Sequence, residues 1–197
     1  MNVIVKPCGP YQTNCYIISD GTSELIIDPG VDADSFILEH AKNPIAILNT
    51  HGHFDHVWSN ASLKEKLNIP IYCPKDDTFM LEDDPFGQGT PSSKADTKVD
   101  GDENFKIGEF EVKYIHFPGH TPGNSAIVID DYMFSGDFIF ENSIGRVDFP
   151  YSSPDDMKKS IKKFLEIDYD KKVYTGHGNP TTIKVEQTRV GNWLNYI

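Results

Sequence analysis

PIAILNTHGHFDH, residues 44–56, joins a short apolar run to three histidines and an aspartate. The run Pro44–Leu48 has the length and composition of a buried β-strand. The polar cluster follows at once, so it sits at a strand end, where open α/β architectures place ligands. His51 and His53 are two residues apart, and an extended segment projects both to one side. Asp55 and His56 are adjacent and diverge toward a second point once the chain turns. Neutral imidazole suits zinc and other first-row metals, and a carboxylate adds the negative charge that holds a dication. The whole chain of 197 residues has only seven histidines, so three within six positions is a concentration that a solvated polar loop does not need.

On the N-terminal side, NVIVK (2–6), NCYIIS (14–19) and ELIID (24–28) read as strands, with Asp20-Gly21 as a hairpin turn between the last two. VDADSFILEHAK (31–42) carries Ala33, Phe36, Ile37 and Ala41 at helical spacing. On the C-terminal side, VWSNASLKEKL (57–67) reads as one helix and IPIYC (69–73) as a strand. DDPFGQGTPSSKAD (83–96) has no apolar period and is expected to be a loop, either covering a nearby site or simply exposed. The β-rich pattern then resumes in NFKI (104–107), FEVKYIHF (110–117), SAIVID (125–130) and YMFSGD (132–137). In SPDDMKKSIKKFLEI (153–167), Ser153 is placed to cap a helix that starts at Pro154 with acids in its first turn. KKVYT (171–175) reads as a last strand and 183–197 as one closing helix. Two runs of strands, each followed by helix, predict an α/β fold of two sheets with helices outside, a four-layer αββα sandwich. No linker composition interrupts residues 1–197, so one domain is expected.

The formal net charge of −12 argues against nucleic-acid phosphate or an anionic membrane as a generic partner. A small anionic substrate stays open, because a bound metal reverses the local field. Cys8, Cys15 and Cys73 are odd in number and form no C-x-x-C, which fits neither a disulfide framework nor a cysteine zinc site and suggests a reducing cytoplasm. No run approaches 18 apolar residues, so neither signal peptide nor membrane span is expected.

Three more residues extend the metal reading. His120 in FPGHTPG, Asp137 in FSGDF and His177 in TGHGNP each follow a predicted strand and lie beside glycine. His40, on a helix, and His116, at a strand end, read instead as packed or solvated histidines. His51, His53 and His120 can form one three-nitrogen site, Asp55, His56 and His177 a second, and Asp137 can bridge them. Two metals sharing a carboxylate, about 3.5–4 Å apart, would hold a bridging hydroxide nucleophile at neutral pH. Zinc is favoured by ligand type, while iron and manganese accept the same ligands.

At these residues the chain resembles the metallo-β-lactamase superfamily, whose signature is H-x-H-x-D-H followed by isolated His, Asp and His. The resemblance runs from NCYIISDGTSELIIDPG to TGHGNPTTIKVE and implies the αββα fold. It also implies that Asp28, in DPG, orients a metal ligand from behind. Within the superfamily the chain is similar to small type II glyoxalase-like (hydroxyacylglutathione hydrolase-like) proteins, through GDFIFENSIGRVDFP (136–150) and GHGNPTTI with Glu186. Full-length enzymes of that type carry an additional C-terminal helical domain that helps hold glutathione. Only 20 residues (197 minus 177) follow His177 here, so that domain is not expected.

The leading expectation is a binuclear metal hydrolase acting on a small-molecule acyl thioester, with Asp55 helping to orient the attacking oxygen as well as binding metal. Arg146 is a candidate for a substrate carboxylate; the other reading is a salt bridge to Asp148. A second enzymatic reading is a persulfide dioxygenase with one iron on His51, His120 and Asp137, since that group shares a G-R-x-D-F segment like Gly145–Phe149. A third is a metal-binding protein without turnover, which closed coordination would mark.

Overall fold

The computed structural model describes residues 1–197. The first half builds strands β1 (Asn2–Cys8), β2 (Thr13–Ser19) and β3 (Glu24–Ile27), helix α1 (Ala33–His40), and strand β4 (Pro44–Leu48). Helices α2 (Phe54–Val57) and α3 (Asn60–Leu67), strand β5 (Ile71–Pro74), helix α4 (Thr78–Asp83) and strand β6 (Thr97–Val99) follow. The second half gives β7 (Glu103–Ile107), β8 (Phe110–His116), β9 (Ser125–Ile129) and β10 (Tyr132–Gly136), then a small hairpin of β11 (Ile139–Phe140) and β12 (Ser143–Ile144). Helix α5 (Pro154–Leu165), strands β13 (Lys172–Thr175) and β14 (Thr181–Thr182) and helix α6 (Ile183–Gln187) complete the regular elements.

The strands form two six-stranded sheets, ordered β1-β2-β3-β4-β5-β6 and β14-β13-β10-β9-β8-β7. β1, β2 and β3 are antiparallel, whereas β3 to β6 run parallel, each step crossing over through helix or loop. Alternation along the strands sorts the apolar side chains into three layers. Cys15, Ile17, Ile26 and Ile47 face α1 and α3 in one core, while Tyr16, Ile18, Leu25, Ile27, Ala46 and Leu48 face the opposite sheet in a second. On the second sheet, Ile127 and Ile129 point into that central layer and Ala126 and Val128 into a third core beneath α5. Strands buried on both faces lose the alternation of polar and apolar residues, which is why CYII, LII, IAIL and AIVI read as continuous apolar runs. The four-layer sandwich expected from the sequence is the fold observed.

Two element boundaries differ from expectation. Residues 57–67 are not one helix: a short turn of α2 begins inside the histidine cluster, at Phe54, and α3 starts only at Asn60. The Ser59 hydroxyl donates to Gly30 O (2.8 Å) and its amide to Pro29 O (3.0 Å), so the chain is pinned to the β3–α1 turn and the axis breaks there. Residues 183–197 likewise divide into α6 and a 3₁₀ turn over Val190–Asn195. The cap at Ser153 forms as read: its Oγ accepts from Asp156 N at 3.2 Å.

Candidate metal centre

The predicted ligands lie after four strands, β4, β8, β10 and β13, at one end of the sandwich. Asn14 stitches that end together, its amide donating to Gly176 O (2.7 Å) and its side chain to Thr175 O (3.0 Å). Ser125 N donates to Thr50 O (2.9 Å), joining the segment that carries His51 to the second sheet. Gly176 N donates to Gly136 O (2.9 Å), which sets Asp137 beside His177. The chain turns into α2 immediately after His53, so Asp55 and His56 swing away from His51 and His53 as the spacing suggested.

All seven predicted ligands are brought together. His51, His53 and His120 offer nitrogens within 4.8 Å of one another, and so do Asp55, His56 and His177 with their own ligand atoms. Asp137 lies between the groups: Oδ1 is 3.3 Å from His56 Nε2, and Oδ2 is 3.4 Å from His177 Nε2 and 3.5 Å from His120 Nε2. The outer ring nitrogens are already engaged. Nδ1–H of His120 donates to Arg146 O (2.8 Å), that of His177 to Tyr11 O (3.1 Å), and that of His56 to Asp28 Oδ2 (3.0 Å). A carbonyl can only accept, so Nδ1 of His120 and His177 carries a proton and Nε2 is the nitrogen turned inward, that of His120 lying 2.9 Å from His53 Nδ1. His51 does the same through the Thr50 hydroxyl, 3.0 Å from its Nδ1. His51 Nε2, His56 Nε2 and Asp137 Oδ1 are buried with no hydrogen-bond partner. Buried polar atoms are rarely orphaned, and here they converge, which fits cations rather than a closed polar core.

The two groups differ in charge. Burial, with help from neighbouring imidazoles, lowers His51 well below the ordinary histidine value and His53 to about 3, and burial lowers His120 too. Burial also opposes protonation of His56, but Asp55, Asp137 and Asp28 override it and raise that histidine. His177 is raised to about 9 in the same way, by Asp137 and Asp55 against burial. Asp55, which burial alone would raise, is pulled down to about 2 by His56 and His177. Without metal the first group is therefore three neutral imidazoles, and the second balances its carboxylates with imidazolium protons. Filling the second group at pH 7.5 should therefore release more protons than filling the first. Calorimetric titrations in buffers of different ionisation enthalpy measure this, and equal release from both equivalents would contradict it.

The metallo-beta-lactamase superfamily profile matches residues 8–177. The chain belongs to that superfamily. Among its relatives, the hydroxyacylglutathione hydrolase GloC of Haemophilus influenzae is 33% identical, over 99% of both chains. The solved structure of the BLEG-1 B3 metallo-beta-lactamase superposes with a TM-score of 0.85 at 32% identity, covering 95% of this chain and 97% of that one. TTHA1623, solved in a di-iron-bound form, does so with a TM-score of 0.80 at 31% identity, over 94% and 98%. Members of the superfamily are metal-dependent hydrolases, and the His and Asp groups described above could hold such ions.

In this superfamily member two buried aspartates stand behind the histidines. Asp28 accepts from Thr50 N (2.8 Å) and Thr50 Oγ1 (2.6 Å) as well as from His56, so it fixes both His56 and the residue before His51. The sequence reading missed the other. Asp77, fully buried, accepts from Gly52 N (2.9 Å), Thr121 Oγ1 (2.6 Å) and Gly123 N (2.6 Å). It thus links the backbone between His51 and His53 to the loop that carries His120. The available signal was glycine: a Cβ at Gly52 would lie 2.6 Å from Asp77 O, and one at Gly123 2.8 Å from Asp77 Cγ. Burial raises Asp77 to about 6, against the pull of its three donors.

A cavity of about 470 Å³ opens over the centre, with His53, Asp55, His120, Asp137 and His177 at its floor. Residues 84–96 form an irregular loop, and it supplies Phe86 and Gln88 to this cavity, so the segment does border the site. Arg146 also reaches the wall, but its Nε and one Nη donate to Asp148 at 2.8 and 2.7 Å. Its carbonyl, rather than its guanidinium, touches a predicted ligand, His120. His40 and His116 lie outside the cluster, bonded to Phe36 O and Pro122 O. A wider polar cleft of about 760 Å³ near Trp193 and Tyr196 holds none of these groups. All three cysteines are free and buried, and no helix is long and apolar enough to cross a membrane.

Proposed function

We propose that this chain is a binuclear hydrolase of small-molecule thioesters. The position of Asp137, within 3.3–3.5 Å of three imidazoles drawn from both groups, carries the reading. His51, His53 and His120 would hold one divalent ion, Asp55, His56 and His177 the other, and Asp137 both. Bound there, the ions supply a nucleophile at neutral pH and polarise the acyl carbonyl. Asp55 is held for its part by Thr13, whose Oγ1 donates to Oδ2 at 2.6 Å; that same oxygen faces His177 Nε2 (3.4 Å) and His56 Nε2 (3.6 Å), so Thr13 fixes the carboxylate that would bind metal or orient the attacking oxygen. Asp28, behind His56, keeps that imidazole aimed inward. A thiolate leaves readily, so the absence of a separate general acid among the cavity residues is no obstacle.

Thioesters are chosen among the superfamily's substrates because of GloC, a hydroxyacylglutathione hydrolase that aligns end to end with this chain. A glutathione-binding helical domain beyond the aligned length is therefore not a condition for that activity. The nitrogen-rich ligand set favours zinc, while the di-iron form of TTHA1623 makes iron the competing occupant.

The test is elemental analysis of protein purified without added metal, followed by assay of S-acyl thioesters with wild type and Asp55→Ala. About two equivalents of metal and thioester turnover in the wild type, with a loss of at least ~100-fold in the folded variant, are the expected results. One equivalent of iron with oxygen uptake on a persulfide would replace the hydrolase reading by the dioxygenase one.

A further inference from the structure

Five aromatic rings stand around the centre, one from each of five segments: Tyr11, Phe54, Phe86, Phe140 and Phe149. Phe86 lies 5.2 Å from the His53 ring, Phe149 6.0 Å from both His53 and His120, and Phe140 6.1 Å from His177. Tyr11 packs edge-on to Phe54 at 5.1 Å. The outer rings are not covered by the fold: Tyr11 is 54% and Phe149 36% exposed, in a chain of net charge −12. Apolar surface left open around a polar floor marks a binding surface for an apolar group.

These walls offer little positive charge beyond the histidines. Apart from histidines, Arg146 is the one basic side chain lining the cavity, and Asp148 already engages it in a bidentate pair. Its guanidinium lies over Phe149, 4.1 Å from the ring centroid, so the pair extends the aromatic wall. The remaining polar lining is neutral, from Gln88 and Ser143, or carboxylate, from Asp55 and Asp137. A peptide thiol such as glutathione brings two carboxylates and would meet no unpaired cation outside the metal centre.

We infer that the site selects thioesters whose portion outside the metal centre is uncharged and aromatic or bulky-apolar, in preference to glutathione thioesters. The inference rests on the hydrolase reading for its reaction: water adds to the acyl carbon, the C–S bond breaks, and a carboxylic acid and a thiol leave. Its selectivity rests only on the cavity walls.

Two matched pairs test it on the metal-loaded protein. In the first, S-acetylglutathione is compared with benzyl thioacetate, which has the same acyl group on a neutral aromatic thiol. A kcat/KM at least tenfold higher for the benzyl compound is expected, the scale of withdrawing a phenyl ring from water. The second pair is uncleavable, S-(2-oxopropyl)glutathione against benzyl 2-oxopropyl sulfide, with Kd measured by calorimetry. At least tenfold tighter binding of the benzyl compound is expected, and equal or tighter binding of the glutathione compound overturns the inference whether or not turnover occurs. If the benzyl compound binds tighter but neither thioester is cleaved, the selectivity stands and the hydrolase reading falls. The double variant Phe86→Ala/Phe149→Ala should lose the benzyl preference at unchanged metal content. An equal loss for both ligands would mean that the rings serve only to shape the site.

Discussion

Asp77→Ala lowers the thermal midpoint by about 10 °C and weakens metal binding at least tenfold, although residue 77 touches no predicted ligand. The substitution strands three buried donors, Gly52 N, Thr121 Oγ1 and Gly123 N, each worth about 1–3 kcal/mol when left unpaired. Their sum, about 4 kcal/mol after partial hydration of the gap, corresponds to that shift in a chain of this size. The metal effect follows from what those donors carry: Gly52 separates His51 from His53, and Thr121 follows His120. Outer contacts of this kind typically change metal affinity 10–100-fold. Competition with a chromophoric chelator reads it directly. A fall in midpoint with unchanged affinity would show that Asp77 supports the fold and not the ligand geometry. The pH dependence has a definite sign. Asp77 sits at about 6 in the folded chain against about 4 unfolded, so the folded state holds its proton more tightly. The stability it contributes is complete below pH 4 and lost as pH rises through 6. The cost of Asp77→Ala should accordingly be about 1 kcal/mol greater at pH 5 than at pH 7.5.

Gly176→Ala should reduce kcat at least ~100-fold while leaving a folded protein. The added methyl would fall 2.0 Å from Asp137 Oδ1 and 2.9 Å from His56 Cε1. The backbone there cannot withdraw, since Gly176 N is held by Gly136 O and Gly176 O by Asn14 N. The carboxylate must therefore turn away from the position where it faces both groups of imidazoles. Overpacking costs the fold only about 1–3 kcal/mol. A displacement of about 1 Å at reacting groups costs about 100-fold in rate. Near-normal turnover with one of the two metals lost would show that Asp137 is not required between them. Steady-state kinetics beside metal analysis of the same preparation separates these results.

Much of this was legible in the sequence because the chemistry is local. Three histidines and an aspartate in residues 50–56 announce a metal whatever surrounds them, and strand-then-glycine contexts mark His120, Asp137 and His177. Apolar runs of strand length, interrupted by turn residues, predict two sheets, since a strand buried on both faces has no polar side to show. Local signals failed where an element is held by something distant. The helix read over 57–67 breaks at Ser59 because that residue bonds to the β3–α1 turn. The closing segment 183–197 divides rather than forming one helix.

Fold class, the seven candidate ligands and the strand ends that carry them are readable from the chain alone, because periodicity and spacing act over a few residues. Packing of the two sheets is what puts Asp137 between the two groups, makes Asp77 join the loop of His51 and His53 to that of His120, and gathers five rings from five segments around one cavity. Each of these depends on distances between residues far apart along the chain, and such distances exist only once the two sheets have packed.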